Sequence, residues 1–107
     1  MSSITTHVLD TAHGKPASGI GIALEFESAS AWIPIGSGTT GEDGRCLDLV
    51  PAGTSLRAGN YRLRFDTQNH SPFYPRIEIV FRVENASEHF HIPLLLSPYG
   101  YSTFRAS

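Results

Sequence analysis

Apolar and polar positions alternate with a period of two over short stretches of this chain. Nowhere do about ten consecutive residues keep the 3.6-residue spacing of an amphipathic helix. In Tyr61-Arg62-Leu63-Arg64-Phe65 the apolar set Tyr61, Leu63 and Phe65 falls on one face, and Arg62 and Arg64 take the other. From Arg76 to Val83, Ile77, Ile79, Phe81 and Val83 oppose Glu78 and Arg82, with Val80 the one apolar residue on the polar side. The pattern predicts strands at Ile4 to Asp10, Ile20 to Ser28, Trp32 to Thr40, Arg45 to Leu49, Gly59 to Thr67, Arg76 to Val83 and His89 to Leu96. A further short strand is expected at Tyr101 to Arg105. His13-Gly14-Lys15-Pro16 and Gly41-Glu42-Asp43-Gly44 supply turn chemistry between them. The expected fold class is therefore all-β, a two-sheet β-sandwich of seven or eight short strands.

Alternation in the closing strand puts Phe90, Ile92, Leu94 and Leu96 on the core face, and His89, His91, Pro93 and Leu95 on the other. An outward leucine beside two histidines suits a sheet surface covered by another subunit. The same count in the first strand makes Val8 a core residue and turns His7 outward.

At 107 residues the chain is expected to be one domain, 1–107, with a single core that any active site must share or that a second copy must complete. The net charge of -2 and the scattered arginines leave no basic stripe to follow a phosphate backbone, so no nucleic acid partner is expected. No apolar run approaches the roughly 18 residues that cross a bilayer, so no membrane association is expected either. Cys46 stands alone, which excludes an intrachain disulfide and a cysteine zinc cluster. The first residues lack the pattern of a secretory signal, and Arg105-Ala106-Ser107 is not a peroxisomal Ser-Lys-Leu address, so a cytoplasmic location is expected.

His89 and His91, two apart on a strand, project together. As a pair they suit two metal ligands, a general base with its neighbour, or merely polar residues on an exposed face. Arg45 follows the Gly-Glu-Asp-Gly turn, where an arginine is either solvated or, through its planar guanidinium, a clamp for a carbonyl or carboxylate. His13 and His70 lie in turn-rich sequence and read as surface residues. The Gly-x-Ser-x-Gly nucleophile elbow and phosphate-binding glycine loops are absent from the sequence.

Three separated segments together resemble the 5-hydroxyisourate hydrolases, the transthyretin-like family. They are Thr6-His7-Val8-Leu9-Asp10 with Gly14-Lys15-Pro16-Ala17, Gly41 to Arg45, and His89 to Ser107. The resemblance implies a transthyretin-like sandwich that assembles as a homotetramer, with active sites in a channel between dimers. It implies hydrolytic opening of the six-membered ring of 5-hydroxyisourate, with no metal and no organic cofactor. By the same resemblance His7, Arg45, His91 and Ser107 are the catalytic residues, and Arg45, Arg105 and Ser107 bind substrate. The chain differs in two places. It ends Phe104-Arg105-Ala106-Ser107 where the family usually has Tyr-Arg-Gly-Ser, and it has only Gln68 to Pro72 where relatives often carry a short helix.

Two rival readings follow. One is a transthyretin-type carrier of small aromatic ligands, against which the polar trio His7, Arg45 and His91 argues, because apolar ligands favour apolar linings. The other is a metal site on His7, His89 and His91.

Overall fold

Strands that alternate as these do can bury their apolar face only against another such face, and the chain folds into two facing sheets. The structure is a computed structural model that describes residues 3–106. It contains β1 (Ile4–Asp10), β2 (Lys15–Pro16), β3 (Gly21–Ser28), β4 (Ala31–Thr39), β5 (Arg45–Cys46), β6 (Gly59–Asp66), β7 (Arg76–Val83), β8 (Phe90–Ser97) and β9 (Gly100–Thr103). One sheet has the order β2-β1-β8-β9, with β5 also paired to β1; the other is β4-β3-β6-β7. No helix among the described residues is long and apolar enough to cross a membrane.

The first and seventh strands match the expected bounds, and most others differ by a residue. The last strand, expected to reach Arg105, ends at Thr103, and two further differences are larger. Lys15–Pro16, read from the sequence as turn, makes two rungs with Leu9 and Asp10. The strand expected at Arg45 to Leu49 stops at Cys46, and Leu49 instead drops into the core with no exposed surface.

In the second sheet, apolar residues meet across β3, β6 and β7. Leu24 opposes Leu63, which opposes Ile79; Phe26 opposes Tyr61, which opposes Phe81. The rings of Phe26 and Tyr61 meet edge to face at 4.9 Å, and the Tyr61 hydroxyl donates to the Arg57 carbonyl at 2.7 Å. Tyr61 is thereby buried without an orphaned hydroxyl. Pro34 is tolerated because β4 is an edge strand, and the register shifts between Leu24 and Glu25 opposite it. Val80 is 57% exposed, as its place on the polar side of β7 requires.

The first sheet is organised by a parallel pairing of β1 with β8, seven rungs from Ile4 opposite Phe90 to Asp10 opposite Leu96. Ile4, Val8, Phe90, Ile92, Leu94 and Leu96 point into the shared core. Thr6 points inward with them, and its hydroxyl donates to the Ile92 carbonyl, which satisfies it without water.

The short connection between β6 and β7 is tied down at Ser71. That hydroxyl donates to the Pro98 carbonyl at 3.1 Å and accepts from the Phe73 and Tyr74 amides. His70, expected on the surface, is instead partly buried there, and its Nδ1 is enclosed without a hydrogen-bond partner. His13 does lie on the surface, its side chain 70% exposed.

Leu63 sits at the centre of the second sheet with no exposed surface. Truncating it to alanine removes packing on both neighbouring strands, and Leu63→Ala should cost about 2–5 kcal/mol. Urea unfolding at fixed protein concentration measures this, and an unchanged midpoint would show that the site collapses to fill the cavity.

Candidate active site

The turn between the sheets sets the first part of the site. The Gly44 amide donates to the Gly41 carbonyl at 2.9 Å, and Gly44 has φ of 79°. A Cβ at Gly44 would stand 2.4 Å from the Val8 carbonyl oxygen and 3.2 Å from His7 Cδ2, so glycine alone lets the turn lie flat on β1. The Val8 amide donates to the Gly44 carbonyl at 2.8 Å, which locks the turn there. Arg45 consequently pairs directly with His7, and Cys46 with Thr6.

The parallel pairing supplies the second part. Thr5 is opposite His91, His7 is opposite Pro93, and Leu9 is opposite Leu95. Paired residues share a face, so Thr5, His7 and Leu9 project from the same outer surface as His91, Pro93 and Leu95. Arg45, His7 and His91, drawn from positions far apart in sequence, are thus brought together on the outer face of the first sheet. His89 and His91 do project together, as their spacing implied, but both meet the hydroxyl of Thr5. Thr5 Oγ1 lies 2.8 Å from His91 Nδ1 and 3.2 Å from His89 Nε2. Among the described residues no group of three or more His, Cys, Asp or Glu side chains is disposed to hold a metal ion.

The protonation of the two catalytic candidates follows from their partners. His7 Nε2 lies 2.8 Å from the Asp43 carbonyl oxygen, which can only accept, so Nε2 carries a proton, and in the neutral form of the ring the lone pair is on Nδ1. Burial, then the positive charge of Arg45 and the neighbouring His7 and His89, push His91 below the ordinary histidine value. His91 is therefore neutral at neutral pH. The Arg45 side chain is 46% exposed, and its guanidinium has a long 3.7 Å contact with Asp43, leaving most of its donors directed at solvent.

The remaining expected residues fare differently. Arg105 is not brought into this group. Its Nη2 donates to Glu88 Oε1 at 3.0 Å and to the His89 carbonyl at 3.2 Å, and its guanidinium lies 4.2 Å from the centre of the Phe90 ring. Phe90 faces the core side of β8, opposite to His91. The Ala106 amide donates to the His91 carbonyl at 2.9 Å, so the closing segment is held along the start of β8. Phe104, 53% exposed, borders a groove with Val80 and Phe81. Ser107 lies outside the described residues.

Thr5 was not singled out from the sequence. Alternation from His7 places it on the outer face, which was the available signal; its meeting with His91 depends on a parallel pairing between the two ends of the chain.

The two-sheet sandwich with this strand order is of the transthyretin type. The chain belongs to the HIUase/Transthyretin family, whose model matches residues 4–106. It is 40% identical over 114 residues to the mouse 5-hydroxyisourate hydrolase, covering 99% of this chain and 96% of that one. It is 41% identical over 119 residues to the Arabidopsis thaliana uric acid degradation bifunctional protein TTL, covering 97% of this chain but only 37% of that longer protein. The crystal structure of sea bream transthyretin in complex with thyroxine superimposes with a TM-score of 0.88 at 28% identity, covering 98% of this chain and 95% of that one.

The depressed His91 fixes the sign of one pH effect. The unfolded chain takes up this proton near the ordinary value, about 6.5, and the folded chain only at lower pH. Between the two values the unfolded state holds more protons, so this contribution to stability is complete above the unfolded value and is lost as pH falls through the window. Urea midpoints recorded from neutral pH down to pH of about 5 should therefore fall more steeply for the native chain than for His91→Gln. Parallel curves would show that His91 titrates normally.

Proposed function

We propose that this chain hydrolyses 5-hydroxyisourate, opening its six-membered ring in urate degradation. The observation that carries the proposal is a neutral His91 set beside His7 and Arg45 on one sheet face, in a chain of this family. Relatives named for this reaction supply the substrate.

In the proposed reaction, water bound at His91 Nε2 gives up a proton as its oxygen adds to a ring carbonyl. His7, with Nε2–H committed to the Asp43 carbonyl, offers its Nδ1 lone pair to orient that water. Arg45 presents paired donors to the substrate and to the carbonyl oxygen as it becomes negative. Collapse of the tetrahedral species breaks the ring C–N bond, and the proton on His91 passes to the departing nitrogen. The atoms of water end on the new carboxyl group and on that nitrogen. In this reading Ser107 takes part in catalysis and, with Arg105, in binding substrate, and Arg105 also clamps the closing segment to Glu88 and Phe90.

The same reading makes the protein a single-domain homotetramer whose outer histidine face lines a channel between dimers. Leu9 and Leu95, paired and partly exposed beside the histidines, fit such a cover. A cytoplasmic location fits a buried, unpaired Cys46.

Freshly generated 5-hydroxyisourate, followed spectroscopically, should decay faster with the purified protein than spontaneously. His91→Asn should lower turnover by about 10²–10⁴-fold while sedimentation shows the same assembly. Near-normal turnover by this variant would remove His91 from the mechanism. No acceleration by the native protein, with tight binding of an aromatic ligand such as the thyroxine held by sea bream transthyretin, would favour the carrier reading instead.

A further inference from the structure

Thr5 is 1% exposed, and its hydroxyl stands between two imidazole nitrogens, 2.8 Å from His91 Nδ1 and 3.2 Å from His89 Nε2. A threonine hydroxyl has one proton and two lone pairs. It can donate to only one of the two nitrogens and must accept an N–H from the other. With both rings neutral, the chain of hydrogen bonds therefore has two directions. In one, His91 Nδ1–H donates to Thr5 and Thr5 donates to His89 Nε2, leaving the Nε2 lone pair of His91 exposed on the outer face. In the other, every proton is reversed and His91 Nε2 carries hydrogen.

We propose that Thr5 and His89 form with His91 a proton relay that selects the first direction, making Thr5 and His89 positioning residues for a base at His91 Nε2. The proposal rests on the hydrolase reading above. When Nε2 takes a proton from water, His91 becomes an imidazolium. It can then pass its Nδ1 proton to Thr5 Oγ1 as Thr5 passes its own proton to His89 Nε2. One N–H and one O–H bond break, one O–H and one N–H bond form, and the positive charge moves from His91 to His89. Reversal returns the charge to His91, and the Nε2 proton leaves with the departing nitrogen.

The surroundings of His91 oppose keeping a positive charge on its ring. Besides its burial, His91 faces Arg45 from β5 and His7 from β1, both acting against a positive ring, as does His89 just before β8. His89 is next to Glu88, whose carboxylate is held by Arg105, and the same guanidinium nitrogen takes the His89 carbonyl. The closing segment thus braces the residue at the far end of the relay.

The test compares Thr5→Val, which removes the hydroxyl, with Thr5→Ser, which keeps it, and adds His89→Phe. Nitrogen-15 NMR of the imidazoles in the full-length protein reports the His91 tautomer without substrate. The native chain and Thr5→Ser should show His91 protonated at Nδ1, and Thr5→Val and His89→Phe should shift it toward Nε2. In the decay assay Thr5→Val should lose about 10²-fold in kcat with KM little changed, Thr5→Ser should recover most of it, and the acidic limb of the kcat profile should move. An unchanged tautomer in Thr5→Val overturns the relay even if kcat falls, because the loss would then be structural. If the native protein does not accelerate decay at all, the hydrolase reading fails, and the NMR comparison still decides whether the hydrogen-bond direction is set as proposed.

Discussion

The parallel pairing of β1 with β8 fixes both the core and the candidate site, because the two strands contribute alternate residues to each. Seven rungs hold Ile4, Thr6 and Val8 against Phe90, Ile92 and Leu94 on the inside. The same rungs hold Thr5 and His7 against His91 and Pro93 on the outside. A slip of one residue would turn every one of these side chains to the opposite face. The packing that excludes such a slip is hydrophobic, so the register of the polar groups is enforced by residues that never touch them. On its other edge β1 binds β5 and β2 in succession, and the Gly41–Gly44 turn is pressed onto Val8. β1 therefore cannot shift without disturbing three neighbours.

Adjacent threonines illustrate the division. Thr6 is inside, among aliphatic side chains, and its hydroxyl is satisfied by the Ile92 carbonyl beside it. That bond is local bookkeeping for a buried polar group. Thr5 is equally buried, but its partners are two titratable rings whose proton positions it couples. One residue of phase along a strand separates a threonine that supports the fold from one that meets the candidate site.

Strand positions were legible wherever apolar residues alternated over five or more positions, as in β6 and β7. The outward turn of His7 and His91 followed from the same count. The two-residue strand at Lys15–Pro16 was not legible, because its sequence is that of a turn and only the neighbouring Leu9 and Asp10 make it a strand. Leu49 looked like the end of a strand, yet the chain leaves the sheet after Cys46 and carries it into the core as a loop residue. His70 sits in turn-rich sequence but is drawn in where Ser71 fastens the connection to the Pro98 carbonyl. The Thr5 contact was beyond reach for a different reason. Alternation reports which face a residue occupies, while its neighbour on that face depends on which strand pairs alongside, and here the partner comes from the opposite end of the chain.

The two outer faces are both polar, yet they are chemically unlike. On the second sheet Glu25 meets Arg62 at 2.7 Å and Arg64 at 3.5 Å, and Glu78 meets Arg64 at 3.3 Å and Arg76 at 3.2 Å. The hydrogen bond from Arg62 holds the Glu25 carboxyl below its usual range despite partial burial, and Arg62 also covers the Trp32 ring at 4.5 Å. Charges there are matched in place, so a ligand would have to break existing pairs to bind. The first sheet carries three histidines and an arginine without such matching. The carboxylate beside Arg45, that of Asp43, holds it loosely, and the Asp43 backbone carbonyl is turned toward His7. Burial first, and then the charge of Arg45 and the neighbouring histidines, keep His91 unprotonated. The Arg45 donors, left without a close carboxylate, suit an oxygen that is gaining negative charge, and this asymmetry, rather than polarity as such, makes the first sheet the candidate for chemistry.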